Sequence, residues 1–421
     1  MTAARVTART RVAYGLMGFP FAMAALPVYV HLPKFYGEHL GVPLATLGAL
    51  LLVLRIADGV LDPLIGAWCD RARSRKTPIA LAVPVVAAGM LALFMPAVDS
   101  AWGLIAWLAA SLALVYAAFS VATIAHGAWG AEISDDPVER TRITATRETL
   151  ALAGVVVASV GPGLLGGSGG EAAGLPRFAW LFAATIAGCA LVTLLASPAA
   201  PTPAQPTLAA DLAAPLRDPY FRRLLAVFVA NGIASSIPAT LVLFFIADVL
   251  QAEAWQGAFL ALYFVAAAAG MPLWVRLSAR VGKVHAWYGA MALAIAAFVW
   301  AAWLGAGDRV PFALICVASG LAFGADLALA PSLLADVIGR DGRMHATGSY
   351  FGLWTLATKL NLALAAGIAL PLLAALGYAP GVRESATSRA LALVYAGLPC
   401  ILKVGALAAL AWFDRSWRHR T

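Results

Sequence analysis

The stretch Arg55-Ile-Ala-Asp58-Gly-Val-Leu-Asp62-Pro63-Leu-Ile-Gly66-Ala-Trp-Cys-Asp70-Arg71-Ala-Arg73-Ser-Arg75-Lys76 decides how the whole chain is read. It begins inside an apolar run long enough to lie in a bilayer and ends in a burst of positive charge that a bilayer excludes. Arg55, Asp58 and Asp62 stand at i, i+3 and i+7, so a helix of about 3.6 residues per turn carries all three on one face. Ionisable groups at membrane depth are costly. They point into a protein interior or a watery cavity, paired with each other or with an ion. Two carboxylates on one such face predict a cation site, with Arg55 as neighbour or charge partner. A purely structural Arg–Asp pair would account for Asp58 and leave Asp62 unexplained, so the cation site is preferred.

The rest of the chain supports a membrane setting. Of 421 residues, 62% are hydrophobic and 12% charged, and the mean hydropathy is +0.85, outside the range of soluble globular proteins. The net charge of +8 comes from short basic groups scattered between apolar runs, which argues against a nucleic-acid surface. Cys69, Cys189, Cys316 and Cys400 lie far apart and make no disulfide framework or metal motif. The first apolar run follows Arg5, Arg9 and Arg11, is too long for a signal peptide and is expected to remain as the first span.

Twelve apolar runs of membrane-crossing length centre near Ala25, Leu54, Ala87, Leu114, Val157, Thr185, Thr240, Val265, Leu293, Leu321, Leu364 and Leu402. With the N-terminus inside, the cytoplasmic segments hold 20 Lys and Arg and the opposite segments five: Lys34, Arg177, Arg309, Arg383 and Arg389. The positive-inside rule then places both termini in the cytoplasm. Residues 198–219, opening Pro-Ala-Ala-Pro-Thr-Pro, read as a cytoplasmic linker between an N-terminal six-helix bundle (1–197) and a C-terminal one (220–421). The halves are weakly alike. Pro63…Asp70-Arg71 matches Pro272…Ala279-Arg280, and Glu132 with Arg140 matches Asp336 with Arg343. The expected fold is an all-α membrane protein of two pseudo-symmetric bundles around a central cavity.

Further polar residues interrupt the spans. Arg147 and Glu148 open span five, where Arg147 either reaches the cavity or snorkels to the interface. Asp326 has nothing near it in sequence to neutralise it, so it is expected to face the cavity or to carry a raised pKa. Lys359, with Thr355 one turn away, needs a carboxylate or an anionic ligand. Lys403 is expected to snorkel, and His126 to be hydrogen-bonded rather than a proton carrier. No Walker A loop, His-Glu-x-x-His or Gly-x-Ser-x-Gly is present, so neither ATP-driven transport nor enzymatic hydrolysis is indicated.

Asp58-x-x-x-Asp62-Pro63-x-x-Gly66-x-x-x-Asp70-Arg71 resembles the glycoside-pentoside-hexuronide cation symporters of the major facilitator superfamily, the group that includes the melibiose permease. Gly130-Ala131-Glu132 with Glu139-Arg140-Thr-Arg142 is similar to the family signature after span four. Ala335-Asp336 followed by Gly348-Ser-Tyr-Phe-Gly-Leu-Trp354-Thr355-Leu-Ala-Thr-Lys359 is similar to the one around span eleven. The resemblance implies cation ligation by Asp58 and Asp62 with the Ser120 hydroxyl, and a place for Lys359 near cation and substrate. It implies sugar contact by Arg147 and a cytoplasmic gate of Asp70, Arg71, Glu132, Arg140 and Asp336. Thr123 and Gly127 occupy substrate positions where sugar-carrying members have an acid and an aromatic platform, and Phe19-Pro20 stands where they have another acid. Asp326 falls beside a span-ten substrate position, and Trp354 and Thr355 belong to the span-eleven set.

The expected function is therefore cation-coupled symport of a small organic solute, a sugar, glycoside or hexuronide-like compound, by alternating access. The protein is expected to act as a monomer in a plasma membrane, the bacterial inner membrane, with no cofactor beyond the coupling H+ or Na+. A possible Na+ would sit at Asp58 and Asp62, but Gly59, Val60 and Leu61 add no side-chain oxygen, which favours H+. A carrier of an amphiphilic anion such as a lysophospholipid is the alternative, and a non-transporting receptor or scaffold is the alternative of a different class.

Overall fold

The computed structural model describes residues 6–199, 214–340, 346–378 and 385–418. The central part of the expected linker, 200–213, and Arg5, Arg343, Arg383 and Arg420 of the charge pattern lie outside them. Among the described residues every regular element is a helix, joined by short turns.

Local chemistry starts the helices. Ser100 caps Ala101–Glu132 by accepting the Gly103 N–H at 3.1 Å. Asp136 caps Pro137–Gly166 and Asp218 caps Pro219–Phe244, each with a proline in the first turn, where a missing N–H costs nothing. Lys76 closes the far end of Gly170–Ala196, donating to Leu194 O at 2.7 Å and Ser197 O at 2.8 Å.

Among the described residues ten helices are long and apolar enough to cross a membrane. The other two expected spans differ in kind. Residues 8–39 form the helices Ala8–Gly15 and Gly18–Leu26 and then wide π-turns at Pro27–His31 and Phe35–His39. Pro20, Pro27 and Pro33 remove backbone donors there and break the regular ladder. The 27-residue helix Leu44–Asp70 is continuous but carries Arg55, Asp58 and Asp62. Its exposed side is apolar, with Leu52, Val53, Ile56, Val60 and Leu64, while Asp58 and Asp62 are buried. That reverses the soluble pattern and suits a lipid surround.

The chain divides into two compact units: Met1–Leu212 with Ile338–Leu356, and Ala213–Val337 with Ala357–Thr421. In the first, Gly18–Leu26 packs on Pro137–Gly166, and Lys76–Phe94 packs on Ala101–Glu132 and Gly170–Ala196. Its core holds Tyr14, Trp129, Phe178 and Phe182. The start of helix Thr347–Ala375 belongs to this unit and lies close to Leu44–Asp70. A Cβ on Gly66 would run into the Gly348 carbonyl, so only glycine permits that approach. In the second unit, Pro219–Phe244 packs on Ser385–Arg418, and the core is aromatic, with Phe245 stacked on Tyr395 at 4.1 Å.

Candidate functional site

The face predicted from Arg55, Asp58 and Asp62 is turned inward. Asp62 is fully buried and Asp58 nearly so, with Arg55 half-buried one turn earlier. Ser120, on Ala101–Glu132, donates its hydroxyl to Asp58 Oδ1 at 3.0 Å. Two buried carboxylates and a hydroxyl thus lie on neighbouring helices of one unit. A hydroxyl that gives its proton to a carboxylate still carries lone pairs of the kind a cation accepts.

The substrate residues expected in the first unit are not equally available. Thr123 turns its hydroxyl back to Phe119 O at 2.8 Å, along its own helix. Gly127 does not open onto space, because a Cβ there would lie 2.8 Å from the Phe351 ring. An aromatic ring does lie against this position, but it comes from a distant helix. Arg147 neither snorkels nor stands alone: its Nε donates to the Glu148 carboxylate at 2.9 Å, and Nη2 reaches the same oxygen. Trp354 is buried, and Thr355 donates to Phe351 O at 2.9 Å. His126 is bound in the structural sense expected. Its Nε2 lies 3.0 Å from Tyr14 O, its ring stacks on Tyr14 at 4.1 Å, and the Tyr14 hydroxyl donates to His126 O at 2.7 Å.

The gate motif needs a correction at Arg71, which is exposed. Arg75 takes its place. Its guanidinium, 3% exposed, donates to Asp70 Oδ1 at 2.9 Å, to Glu132 Oε1 at 2.7 Å and to Cys69 O at 2.8 Å. Burial alone would lower the Arg75 pKa, but Glu132 and Asp70 outweigh it and hold the group above the usual guanidinium range. Asp70 also accepts the N–H groups of Gly348 at 2.6 Å and Ser349 at 2.7 Å, capping the start of Thr347–Ala375. Arg140 is buried nearby on Pro137–Gly166. Its Nε donates to Ser134 O at 2.7 Å, and Nη2 lies 3.6 Å from exposed Asp135.

In the second unit Asp336 pairs with Lys283, which also donates to Ser332 Oγ at 2.6 Å. The weak repeat seen in sequence therefore has a structural counterpart with other partners. The acid ending one helix meets a cation at the start of the preceding one, Glu132 with Arg75 and Asp336 with Lys283. Asp326 is not isolated. Trp287 Nε1 donates to it at 2.7 Å, and Lys403 Nζ lies 3.5 Å away, also bonded to Asn231 at 2.6 Å and Ser235 at 3.1 Å. The expectation that Lys403 snorkels is thus overturned by a half-buried partner 77 residues earlier in the chain. Lys359 is half-buried on Thr347–Ala375, in the part assigned to this unit.

The family described as MFS/sugar transport protein matches residues 12–414. The chain belongs to it. As the resemblance in the three motifs implied, it is a multi-pass membrane protein of a transporter family. It is similar to the inner membrane symporter YicJ of Escherichia coli (strain K12), at 28% identity over 160 residues, 37% of this chain and 35% of that one. The aligned stretch thus spans about a third of that symporter's length. Over 86% of this chain and 80% of the relative it is 23% identical to the sphingosine-1-phosphate transporter MFSD2B of Mus musculus. In fold it is similar to a bacterial homologue of the iron transporter ferroportin in its outward-facing state. The TM-score is 0.75 at 17% identity, covering 97% of this chain and all of the other.

Proposed function

We propose that this chain is a cation-coupled secondary active symporter of a small organic solute, a sugar, glycoside or hexuronide-like compound, working by alternating access. In this reading twelve spans cross the membrane, with both termini in the cytoplasm, and the protein acts as a monomer in a bacterial inner membrane. The supporting observation is the buried Asp58, Asp62 and Ser120 group on helices otherwise fit for lipid. Buried charge without a task is costly, and a bound cation offsets it. With the cation absent, closing the site over two carboxylates is opposed. With it present, closure is eased, and that difference couples the two fluxes.

The coupling ion is proposed to be H+. The side chains proposed as ligands, Asp58, Asp62 and Ser120, are two carboxylates and one hydroxyl, a sparse oxygen set for Na+, whereas a proton needs one carboxylate of a pair. Arg147, Lys359, Trp354 and Thr355 are proposed as substrate residues, with Arg55 as the charge partner of the acidic face. A second reading, an amphiphilic anion as cargo, is favoured by the similarity to a lipid-phosphate transporter along most of the chain. Proteoliposome uptake under an imposed pH gradient, or a sodium gradient at constant pH, tests the proposal. Sugars, glucuronides and lysolipids compete as cargo. Accumulation driven by neither gradient would refute symport.

A further inference from the structure

In the second unit Pro219–Phe244 packs along Ser385–Arg418, and the outer side of this pair carries a surface that includes none of the proposed cargo or cation residues. Ile401, Val404, Ala408, Trp412 and Arg415 follow one another at spacings of three or four and are all exposed, so they share one face of the last helix. That face is apolar for two turns, then presents an indole, then a cation. The Arg223 guanidinium of the neighbouring helix lies over the Trp412 ring, 4.6 Å from its centroid, and exposed Arg222 precedes it in the chain. We propose that this face binds one anionic phospholipid, with the phosphodiester on Arg223 and Arg415 at the level of Trp412 and an acyl chain along Ile401, Val404 and Ala408. The topology proposed above makes this the cytoplasmic leaflet; the binding depends on neither the cargo nor the coupling ion.

Charge selects an anion. The acids at this end are turned inward: Asp218 is fully buried, where it caps the Tyr220 and Phe221 N–H groups, and Asp414 is buried as well. Among the described residues no ion pair takes up Arg222, Arg223 or Arg415. The outward charge is therefore positive, and a guanidinium offers parallel N–H donors that match two phosphate oxygens. Stacking on the indole holds Arg223 in one orientation, so less freedom is lost when the phosphate arrives. A zwitterionic headgroup brings an ammonium that the arginines repel, and Arg223 already covers an indole face that an ammonium would seek. The position on the helix selects a lipid over a soluble phosphate. Tryptophan belongs at headgroup depth, and the apolar turns next to Trp412 on the same face lie against acyl chains, so a lipid phosphate is delivered to the arginines with its chain in place.

Native mass spectrometry of the full-length, delipidated protein in dodecyl maltoside counts bound lipid directly. The probes are dioleoyl phosphatidylglycerol, dioleoyl phosphatidylcholine and glycerophosphoglycerol, the same anionic headgroup without chains. The protein is expected to bind one phosphatidylglycerol about tenfold more tightly than phosphatidylcholine, and glycerophosphoglycerol at equal concentration not to displace it. Arg223→Gln with Arg415→Gln weakens phosphatidylglycerol about thirtyfold and leaves phosphatidylcholine unchanged. Arg276→Gln with Arg280→Gln removes two exposed arginines from Gln256–Val281, another helix of the same unit, and leaves both lipids unchanged. Trp412→Leu weakens phosphatidylglycerol, and Trp412→Phe, which keeps a ring under Arg223, weakens it less. Thermal unfolding without lipid shows that each variant is folded. The proposal fails if the protein holds the two lipids equally, or if the Arg276 and Arg280 pair loses as much affinity as the Arg223 and Arg415 pair. Displacement of the lipid by glycerophosphoglycerol overturns it too, because the site would then be one for a soluble phosphodiester. Gradient-driven uptake tests the symporter reading separately.

Discussion

Asp70 Oδ2 accepts the backbone N–H of Ser349 at 2.7 Å and the hydroxyl of the same residue at 2.8 Å, across 279 residues of chain. Its other oxygen takes the Gly348 N–H and the Arg75 guanidinium. One acid thus satisfies donors that a helix start leaves open and supplies the negative charge its dipole favours.

Asp70→Asn is expected to fold with a lower melting temperature, because the amide turns an N–H toward other donors. The loss is about 1–3 kcal/mol, measured by thermal unfolding in detergent.

Arg75 and Arg71 separate cleanly in the same assay. Arg75→Met leaves Asp70 and Glu132 as buried acids without their shared cation and costs about 3–5 kcal/mol. Arg71→Gln, at an exposed position, changes stability by less than about 0.5 kcal/mol. Equal effects would put the cluster's cation at the wrong residue.

Gly66→Ala places a methyl against the Gly348 carbonyl, which cannot swing aside as a side chain does, and is expected to cost about 1–3 kcal/mol. Gly48→Ala, which meets open space, leaves the melting temperature unchanged or raised.

Lys403→Met leaves Asp326 with the Trp287 indole and the Ser235 hydroxyl as donors but without its cation, and lowers stability by about 3–5 kcal/mol. The double variant Lys403→Met with Asp326→Leu recovers most of the loss. A double variant as unstable as the single one would show that packing, not charge, dominates there.

Transport provides the last test. Asp62→Asn is expected to insert and fold while losing gradient-driven accumulation, and Ser120→Ala to weaken the cation response without abolishing it. Lys359→Ala is expected to weaken both substrate and cation responses, through the reciprocity of linked sites. Binding assays with and without the coupling gradient measure both, and full accumulation by Asp62→Asn would remove the cation assignment.

The inward face of Leu44–Asp70 was readable because three ionisable residues at helical spacing within an apolar run leave one arrangement open. Hydropathy and proline-rich punctuation suggested bundles over 1–197 and 220–421, but that Ile338–Leu356 joins the first unit left no mark in them. Nor did the pairings leave one. Arg75 stands among four basic residues within 71–76, and nothing in composition marks which one is buried. Asp326 and Lys403 meet across a distance that no local pattern spans, and Trp287, an indole donor, looks in sequence like another membrane tryptophan. Phe351 filling the place left by Gly127 is the same lesson: the partner's identity is set by packing between helices.

The first unit is discontinuous, for it takes in Ile338–Leu356. Its completion must therefore await the ribosome. Arg75 can meet Glu132 as soon as span four has emerged, but the Gly348 N–H that Asp70 binds is made 278 residues after Asp70 itself. At about 5–20 residues per second that interval is on the order of ten seconds or more. During it Arg75 is the partner already synthesised for Asp70, so the nascent first half is held by its cation long before the helix that Asp70 caps exists.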